Sequence, residues 1–199
     1  MPDRIILLTG DVEAPHLSGL LRQHNPELEV IPVFDINALG SAVAAGVAGV
    51  RLIAFLSSVI VPAELLAMLD GPSYNFHPGP PEYPGSYVAG FAIYEGAETF
   101  GVTLHEMSAQ VDAGPIVEVR RFAVPENAKF QDLEIVAFQQ VLTLFEDYAP
   151  HMACNDAPLP SGAEPWTGKS HTRAEAERLK QIEADLTEEE IVRRYRAFG

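Results

Sequence analysis

Apolar residues in the first part of the chain fall into short runs typical of buried strands, separated by stretches with helical spacing. Four runs predict strands, over Arg4–Thr9, Leu28–Phe34, Leu52–Phe55 and Ser73–Phe76. The stretches between them predict helices around Leu17–Leu21, Ala38–Val47 and Pro62–Leu69. Strands that alternate with helices predict an α/β fold with a mostly parallel sheet and helices on both faces. Ligands of such sheets lie outside the carboxyl ends of the strands, where His77 falls.

The second part of the chain continues this pattern and then changes in composition. It predicts a helix at Tyr87–Tyr94, strands at Val102–Met107 and Ile116–Phe122, and a long helix at Phe130–Tyr148. From Pro150 to Ser170, proline, glycine and small polar residues predict a linker or a strap over the surface. Thr187 and Glu190 have the spacing of a capping box and predict a last helix through Ala197. We therefore expect a domain of residues 1–150, followed by a linker and a short C-terminal helical extension over residues 151–199.

Charge and composition narrow the class of partner. The 199 residues include 28 acidic and 13 basic ones, which give a formal net charge of −15. Such a chain repels nucleic acid and anionic membrane surfaces, so neither is expected as a partner. No apolar run approaches the length of a membrane span, and the amino-terminal run is too short for a secretion signal. Because Cys154 is the single cysteine, no intrachain disulfide framework can form, and a cytoplasmic location is the simpler expectation.

Three polar residues near predicted strand ends are candidates for chemistry. Asn75 and His77 stand two apart on a predicted strand, so their side chains should lie on one side of it. The proline-rich segment 78–85 cannot continue a sheet and predicts a stiff loop that holds a site in place. Asp112 stands in a turn between two strands and is expected to face the same end of the sheet. An amide, an imidazole and a carboxylate suit acyl transfer to an amine. The same residue types also form ordinary turns and hydrogen-bonded strand ends, so both interpretations stay open at this point.

The order of motifs around these residues resembles the catalytic domain shared by the glycinamide ribonucleotide, methionyl-tRNA and nucleotide-sugar formyltransferases. The family pattern is Asn-x-His-Pro, a later glycine, a strand with a histidine, and an Asp-x-Gly loop. The matching residues here are Asn75, His77, Pro78 and Gly85, then Gly101-Val-Thr-Leu-His105, then Asp112-Ala-Gly114-Pro-Ile. Weaker likeness extends to residues 15–21 and to residues 190–198, which resemble the helix that joins this domain to a further one.

The resemblance implies a Rossmann-like fold and transfer of a formyl group from 10-formyltetrahydrofolate. Asn75 and His77 would stabilise the tetrahedral intermediate formed when an amine attacks the formyl carbon, and Asp112 would hold or relay the proton. The pterin ring of the donor would bind largely to backbone groups of two loops. These residues are Leu56, Ser57, Ser58, Val59 and Ile60 in one loop, and Gln110 and Val111 in the other. His105 is expected to have a structural or supporting role rather than a direct catalytic one.

The chain departs from the family pattern at two places that bear on the acceptor. Gly79 stands where the family usually has serine, and a proline-rich segment replaces a Leu-Leu-Pro sequence, so this loop is expected to differ in shape. Gly10 is followed by Asp11, Val12 and Glu13 rather than by a phosphate-binding nest, and carboxylates there repel phosphate. The expected acceptor is a small amine, such as an amino sugar attached to a nucleotide or an amino acid derivative.

Several alternatives stay open from the sequence. A formyltetrahydrofolate hydrolase would give the formyl group to water with the same three residues, and the formyl-folate domain of hydrogenase maturation proteins is related. A folate-binding module without catalysis is a third alternative, against which the presence of all three polar residues argues. Trp166 either covers apolar surface or offers a stacking platform for a base or pterin. One cysteine and unclustered histidines give no reason to expect a metal site, and a homodimer is left open.

Overall fold

A six-stranded sheet forms the centre of the computed structural model, which describes all 199 residues. The strands are β1 (Arg4–Leu8), β2 (Glu29–Val33), β3 (Val50–Phe55), β4 (Tyr74–His77), β5 (Thr99–Glu106) and β6 (Ile116–Ala123). Their spatial order is β2-β1-β3-β4-β5-β6. The pairs β2-β1, β1-β3 and β3-β4 are parallel, whereas β4-β5 and β5-β6 are antiparallel. The expected α/β, Rossmann-like fold with a mostly parallel sheet is confirmed.

Helices pack on both faces of the sheet. They are α1 (Ala14–His24), α2 (Ile36–Ala44), α3 (Ala63–Met68), α4 (Val88–Glu95), α5 (Phe130–Cys154), α6 (Arg173–Leu179) and α7 (Glu188–Phe198). Because successive strand residues point to opposite faces, Ile5 and Leu7 of β1 join a main core of 30 buried residues that includes α1, α4 and α5. Ile6 and Leu8 join a second core of 10 buried residues with α2. None of the helices is both long and apolar enough to cross a membrane.

Helix α5 is longer than the sequence predicts. The prediction ended it at Tyr148, before a proline, but the helix continues through Pro150 to Cys154. Pro150 removes the helical donor for the carbonyl group of Glu146, and both residues lie on the exposed side, where water can hydrogen-bond to that carbonyl. The connection to α6 therefore starts later than expected. We call this connection, residues 155–171, the strap.

The two C-terminal helices begin at capping residues. Helix α6 was not predicted, although Thr172 and Glu175 form a capping box in which each side chain accepts from the other's backbone N–H. At α7, Thr187 Oγ1 accepts from the N–H of Glu190 as the sequence predicts. The Glu190 carboxylate instead accepts from Tyr94 Oη on α4, so the predicted box is only half formed.

Both C-terminal helices join the main core. Ala176 of α6 and Ala197 of α7 are fully buried in it. Phe198 of α7 meets Phe91 of α4 edge-on, with 5.2 Å between the ring centroids. These contacts tie the C-terminal part of the chain to the sheet, and the domain division expected from the sequence stays a prediction.

Candidate functional site

The candidate residues share one patch on the sheet face that also packs against α2. Strand alternation places Asn75 and His77 on this face, and the antiparallel register pairs them with His105 and Thr103 of β5. Phe76, between them, points to the opposite face and is buried in the main core. Two alternate pairs of β4 and β5 thus offer four polar side chains to one surface, which loops cover.

Asp112 reaches this patch from a loop that folds back over the sheet. Residues 107–115, the Asp112 loop, leave β5 beside the first residue of β4, because the register pairs Glu106 with Tyr74. Because β5 runs antiparallel to β4, the loop starts at the Tyr74 end of β4, and it folds back so that the Asp112 carboxylate lies beside His77, as the sequence predicts. Asp112 has a φ of 45°, a left-handed conformation that aspartate tolerates better than most residues. The folded-back loop buries its side chain.

The Asp112 carboxylate accepts hydrogen bonds and lies between two imidazoles. Oδ2 accepts from the backbone N–H of Gly85 at 2.8 Å, and Oδ1 accepts from Asn75 Nδ2 at 3.3 Å. His77 Nδ1 lies 3.3 Å from Oδ2, and His105 Nε2 lies 3.3 Å from Oδ1. Burial alone would raise the pKa of Asp112, but the two histidines and the Gly85 N–H outweigh it and hold this pKa below its usual range. The carboxylate is therefore charged at neutral pH.

His77 has one ring nitrogen bonded to the protein backbone and the other beside the carboxylate. Nε2 donates to the backbone carbonyl oxygen of Tyr83 at 3.0 Å, since a carbonyl oxygen can only accept. In the neutral ring Nδ1 is then the nitrogen that can take up a proton, next to Asp112. Burial lowers the pKa of His77, and the negative charge of Asp112 opposes this effect only in part. This arrangement suits a general base whose protonated form is stabilised by a carboxylate.

Asn75 connects His105 to the carboxylate. His105 Nδ1 donates to the backbone carbonyl oxygen of Glu106 at 2.9 Å, which leaves its Nε2 as an acceptor. Asn75 Nδ2 lies 3.1 Å from this nitrogen and 3.3 Å from Oδ1 of Asp112, so its N–H groups serve both. The orientation of the amide is thereby fixed. Donation from Asn75 to a substrate oxygen requires that one of these two bonds be exchanged.

The segment after β4, residues 78–86, holds His77 from the side opposite to Asp112, and we call it the proline loop. Thr103 Oγ1 donates to the carbonyl oxygen of Gly79 at 2.7 Å and fixes the start of the loop. A Cβ at Gly79 would lie 2.7 Å from His77 Nε2 and 2.9 Å from the Tyr83 carbonyl oxygen, closer than side chains approach. Glycine is therefore needed for this His77–Tyr83 contact. A loop with serine at this position would have a different shape.

Trp166 of the strap lies over the two imidazoles. Its Nε1–H donates to the carbonyl oxygen of Gly114 at 2.8 Å. The indole meets the rings of His105 and His77 edge-on, with 5.0 and 5.8 Å between centroids. The indole thus covers two histidines rather than apolar side chains, and a role as a stacking platform for a ligand stays a prediction.

The residues expected to bind the pterin ring lie on two loops outside this hydrogen-bonded cluster. The Leu56–Ile60 loop follows β3, where the Leu56 N–H donates to the carbonyl oxygen of Phe76 at 3.4 Å, next to His77. Gln110 and Val111 precede Asp112 in its loop and are exposed. No hydrogen bond joins residues 56–60 to Gln110 or Val111.

Several groups that shape the site were not predicted from the sequence. The Gly85 N–H and the Tyr83 carbonyl belong to the backbone, and no side-chain pattern reports them. Thr103 could have been found, because it stands two residues before His105 on a strand and shares its face. A cavity of about 430 Å³ opens near Tyr83 and Phe100, but none of the clustered side chains lines it.

Solved structures of known proteins share this fold. A likely sugar N-formyltransferase from Mycobacterium tuberculosis matches with a TM-score of 0.76 at 21% identity, over 99% of this chain and 87% of that one. An N-formyltransferase from Helicobacter canadensis, solved with folinic acid and dTDP-3-aminofucose, matches with a TM-score of 0.72 at 19% identity, over 100% and 81%. HypX from Aquifex aeolicus, in complex with tetrahydrofolic acid, has a TM-score of 0.62 at 22% identity, over 98% of this chain but 34% of that one.

A family model gives the classification. The model described as formyl transferase matches residues 35–140, more than half of the chain. The matched range contains β4, the proline loop and the Asp112 loop, and with them Asn75, His77 and Asp112. The chain belongs to the formyl transferase family.

Proposed function

We propose that the protein transfers a formyl group from 10-formyltetrahydrofolate to a small primary amine, with Asn75, His77 and Asp112 as catalytic residues. The proposal is carried by the buried Asp112 carboxylate, which lies 3.3 Å from both Asn75 Nδ2 and His77 Nδ1 in a chain of the formyl transferase family. Two proteins of the same fold were solved with folinic acid and with tetrahydrofolic acid, which supports a folate as the donor.

Each of the three residues has a defined part in this reaction. The donor would supply an activated formyl group to the amine nitrogen. The proton that the amine loses passes to the His77–Asp112 pair, where it lies between Nδ1 and the carboxylate. Asn75 exchanges one of its internal bonds for the formyl oxygen, on which negative charge develops. The His77–Asp112 pair then returns its proton to the nitrogen of the departing tetrahydrofolate, so the site ends in its starting protonation state.

The Leu56–Ile60 loop fits a flat ring with polar edges. Leu56 has a φ of 51°, and the chain bends away from β3 at this point. The backbone N–H groups of Ser57, Ser58 and Ile60 have no hydrogen-bond partner within the protein and can serve a ligand. The side chains of Ile60 and Val111 are 69% and 46% exposed, which provides apolar surface on both loops.

The charge around the site favours a small amine over a polyanionic acceptor. The sequence has no lysine or arginine between Arg51 and Arg120, the stretch that contains β4 and both site loops. The segment after β1 carries Asp11 and Glu13, and β1 lies two strands from β4, a spacing of about 10 Å. Carboxylates on the segment that follows β1 attract an ammonium group and repel phosphate. An amino acid derivative or an amino sugar fits this field, and a nucleotide-linked sugar fits if its phosphates lie away from the segment.

Titration with folinic acid tests the donor site. At a ligand concentration of 100 times Kd, binding should stabilise the protein by about 2.7 kcal/mol and raise the unfolding temperature by about 5 to 11 °C. Trp166, the single tryptophan, should report the same binding by fluorescence. Val111→Asp should weaken binding about 10-fold, because it places charge against the ring. Val192→Asp, at a 60% exposed valine on α7, is the matched control and should bind like wild type. Equal weakening of folinic acid binding in both variants would show that the Asp112 loop is not part of the donor site.

A panel of amines tests the acceptor class. The enzyme is incubated with 10-formyltetrahydrofolate and paired amines that differ only in a phosphate group, and tetrahydrofolate release is followed. We expect the phosphate-free member of each pair to have a kcat/KM at least about 10-fold higher, since one repulsive charge contact costs on the order of 1.4 kcal/mol. The double variant Asp11→Asn, Glu13→Gln should reduce the difference in kcat/KM between the two members of a pair, because it removes the two carboxylates. Release at the same rate without any amine would identify a hydrolase, and folinic acid binding without any release would identify a folate-binding module.

A further inference from the structure

The strap is bonded to both loops that hold the proposed catalytic residues. The Gly162 N–H donates to the carbonyl oxygen of Ile116, just after the Asp112 loop, at 2.7 Å. The Gly168 N–H donates to the carbonyl oxygen of Pro81 in the proline loop at 3.0 Å. Trp166 stands between these two attachments. The strap therefore crosses the patch from one loop to the other with the indole directed onto the histidines.

His171, the last residue of the strap, brackets Gly85. Its N–H donates to the carbonyl oxygen of Pro84, and its own carbonyl oxygen accepts from the N–H of Ser86, both at 2.9 Å. Between these two bonds the Gly85 N–H donates to Asp112. The strap thus also fixes a backbone donor against the carboxylate.

We propose that Trp166 is a positioning residue: its indole holds the imidazoles of His77 and His105 against Asp112 and keeps water off this part of the sheet. The proposal rests on the proposed function, because it gives Trp166 a part in the chemistry assigned to His77 and Asp112. Trp166 itself donates only to the Gly114 carbonyl and acts through the rings that it contacts.

The anchor of the indole is fixed. Gly114 packs so closely against the end of β5 that a Cβ there would overlap the carbonyl oxygen of Glu106. Gly168, just after the tryptophan, packs in the same way against the carbonyl oxygen of Glu82. Because Gly168 has no side chain, the strap can lie directly on the proline loop, and Gly114 lets the Asp112 loop lie directly on the end of β5. The hydrogen bond to Gly114 and the contacts with both imidazoles therefore start from firmly packed backbone.

The groups that face His77 determine how removal of the Trp166 indole changes the pKa of its ring. They are Asp112 from its loop, His105 from β5 and the Tyr83 carbonyl from the proline loop, while Trp166 is uncharged. Burial lowers the pKa of His77 in the intact protein. Without the indole, water reaches the ring and this pKa should rise toward its ordinary value of about 6.5.

Three variants test the proposal by activity. Trp166→Ala should lower kcat/KM by about 10- to 100-fold, mainly through kcat, and move the acid limb of the pH profile to higher pH. Trp166→Phe keeps an aromatic edge over the histidines and should recover most of the loss. Tyr195→Ala removes a 68% exposed aromatic ring on α7 and should match wild type in both readouts.

An NMR titration of the His77 ring in wild type and in Trp166→Ala separates this proposal from the proposed function, because it needs no turnover. If wild type transfers formyl to no amine and releases none to water, the proposed function fails, and the His77 pKa still decides the part played by Trp166. An unchanged His77 pKa together with an unchanged kcat/KM in Trp166→Ala overturns the proposal. If Trp166→Ala does not fold, Trp166→Leu is judged on the same two readouts, since it keeps apolar bulk but loses the ring and the N–H.

Discussion

Replacement of Asp112 by asparagine is expected to lower kcat/KM for formyl transfer by about 1,000-fold, which corresponds to about 4 kcal/mol of transition-state stabilisation. The change removes the charge that stabilises a proton on His77 Nδ1, only 3.3 Å from the carboxylate. Asparagine is the suitable replacement because Asp112 has a φ of 45°, and asparagine also tolerates this left-handed conformation. The loop, the burial and the hydrogen bond from the Gly85 N–H should therefore persist.

The loss should be confined to chemistry. Folinic acid binding, measured by Trp166 fluorescence, should change by less than about 10-fold, because the proposed pterin contacts precede Asp112 in the loop. His77→Gln should show a loss of similar size, and the double variant should lose little more than either single variant, since the two residues act as one pair. Asp185→Asn, at an exposed aspartate before α7, controls for the charge change. If Asp112→Asn or His77→Gln retains full turnover, the assignment of the catalytic pair is wrong.

The pH dependence follows from the same pair. The pKa of Asp112 is held below its usual range, so its charge persists through mildly acidic pH. The pKa of His77 is lowered by burial, so protonation of its ring should set the acid limb of kcat/KM at a pH below about 6.5. The pH profile of wild type measures this limb, and in His77→Gln the residual activity should not show it.

Strand alternation and apolar runs were enough to predict most of the fold. β1, β2 and β3 were predicted nearly at their observed bounds, and for β1 and β3 the reason is that strands buried on both faces give continuous apolar runs. The start of β5 was missed, since Gly101 interrupts the pattern. A Cβ there would lie 2.6 Å from the carbonyl oxygen of Arg120, so the glycine allows β6 to approach closely. Proline disfavours a helix interior, but α5 continues through Pro150 because the residues of its last turns, such as Met152 and Ala153, are buried.

The site was predictable only as far as side chains on one strand define it. The spacing of Asn75 and His77 fixes a shared face whatever the surroundings. The direction of β5 has no signature in its own residues, so the path of the Asp112 loop could not be deduced. Backbone groups such as the Gly85 N–H carry no sequence pattern, and Trp166 reaches the histidines only through the course of the strap. These contacts depend on tertiary structure and become visible only there.

The second large effect is expected far from the chemistry, at Arg51. This arginine on β3 is 2% exposed and makes no ion pair with a carboxylate. Its guanidinium donates to the carbonyl oxygens of Met152 and Ala157, at 3.1 and 3.3 Å, and lies 5.6 Å from the centre of the Tyr74 ring. The carboxyl end of α5 concentrates partial negative charge at the Met152 carbonyl, which helps to compensate the buried cation. Arg51 therefore joins the end of α5 to the start of the strap.

Arg51→Met should lower the free energy of unfolding by about 3 kcal/mol, because two carbonyl groups, one buried and one partly buried, lose a charged donor at on the order of 1.5 kcal/mol each. The desolvation cost of the guanidinium disappears at the same time, but methionine offers no donor to either carbonyl, so the loss outweighs the gain. Thermal unfolding should show a decrease of about 6 to 12 °C. Arg4→Met, which removes a partly exposed pair with Glu29, should cost at most about 1 kcal/mol.

Arg51→Met should lower the stability of the protein without a large effect on catalysis. The strap keeps a second attachment near its start, where the Leu159 N–H donates to Tyr74 Oη at 2.7 Å, so Trp166 should stay in place below the unfolding temperature. We therefore expect Arg51→Met to retain kcat/KM within about 3-fold at 25 °C, although hydrogen exchange at residues 155–159 should accelerate. An unfolding temperature equal to that of wild type would show that water replaces the guanidinium at both carbonyls. A large loss of kcat/KM in the folded variant would instead show that the first part of the strap, and not only Trp166 and its neighbours, controls the geometry of His77 and Asp112.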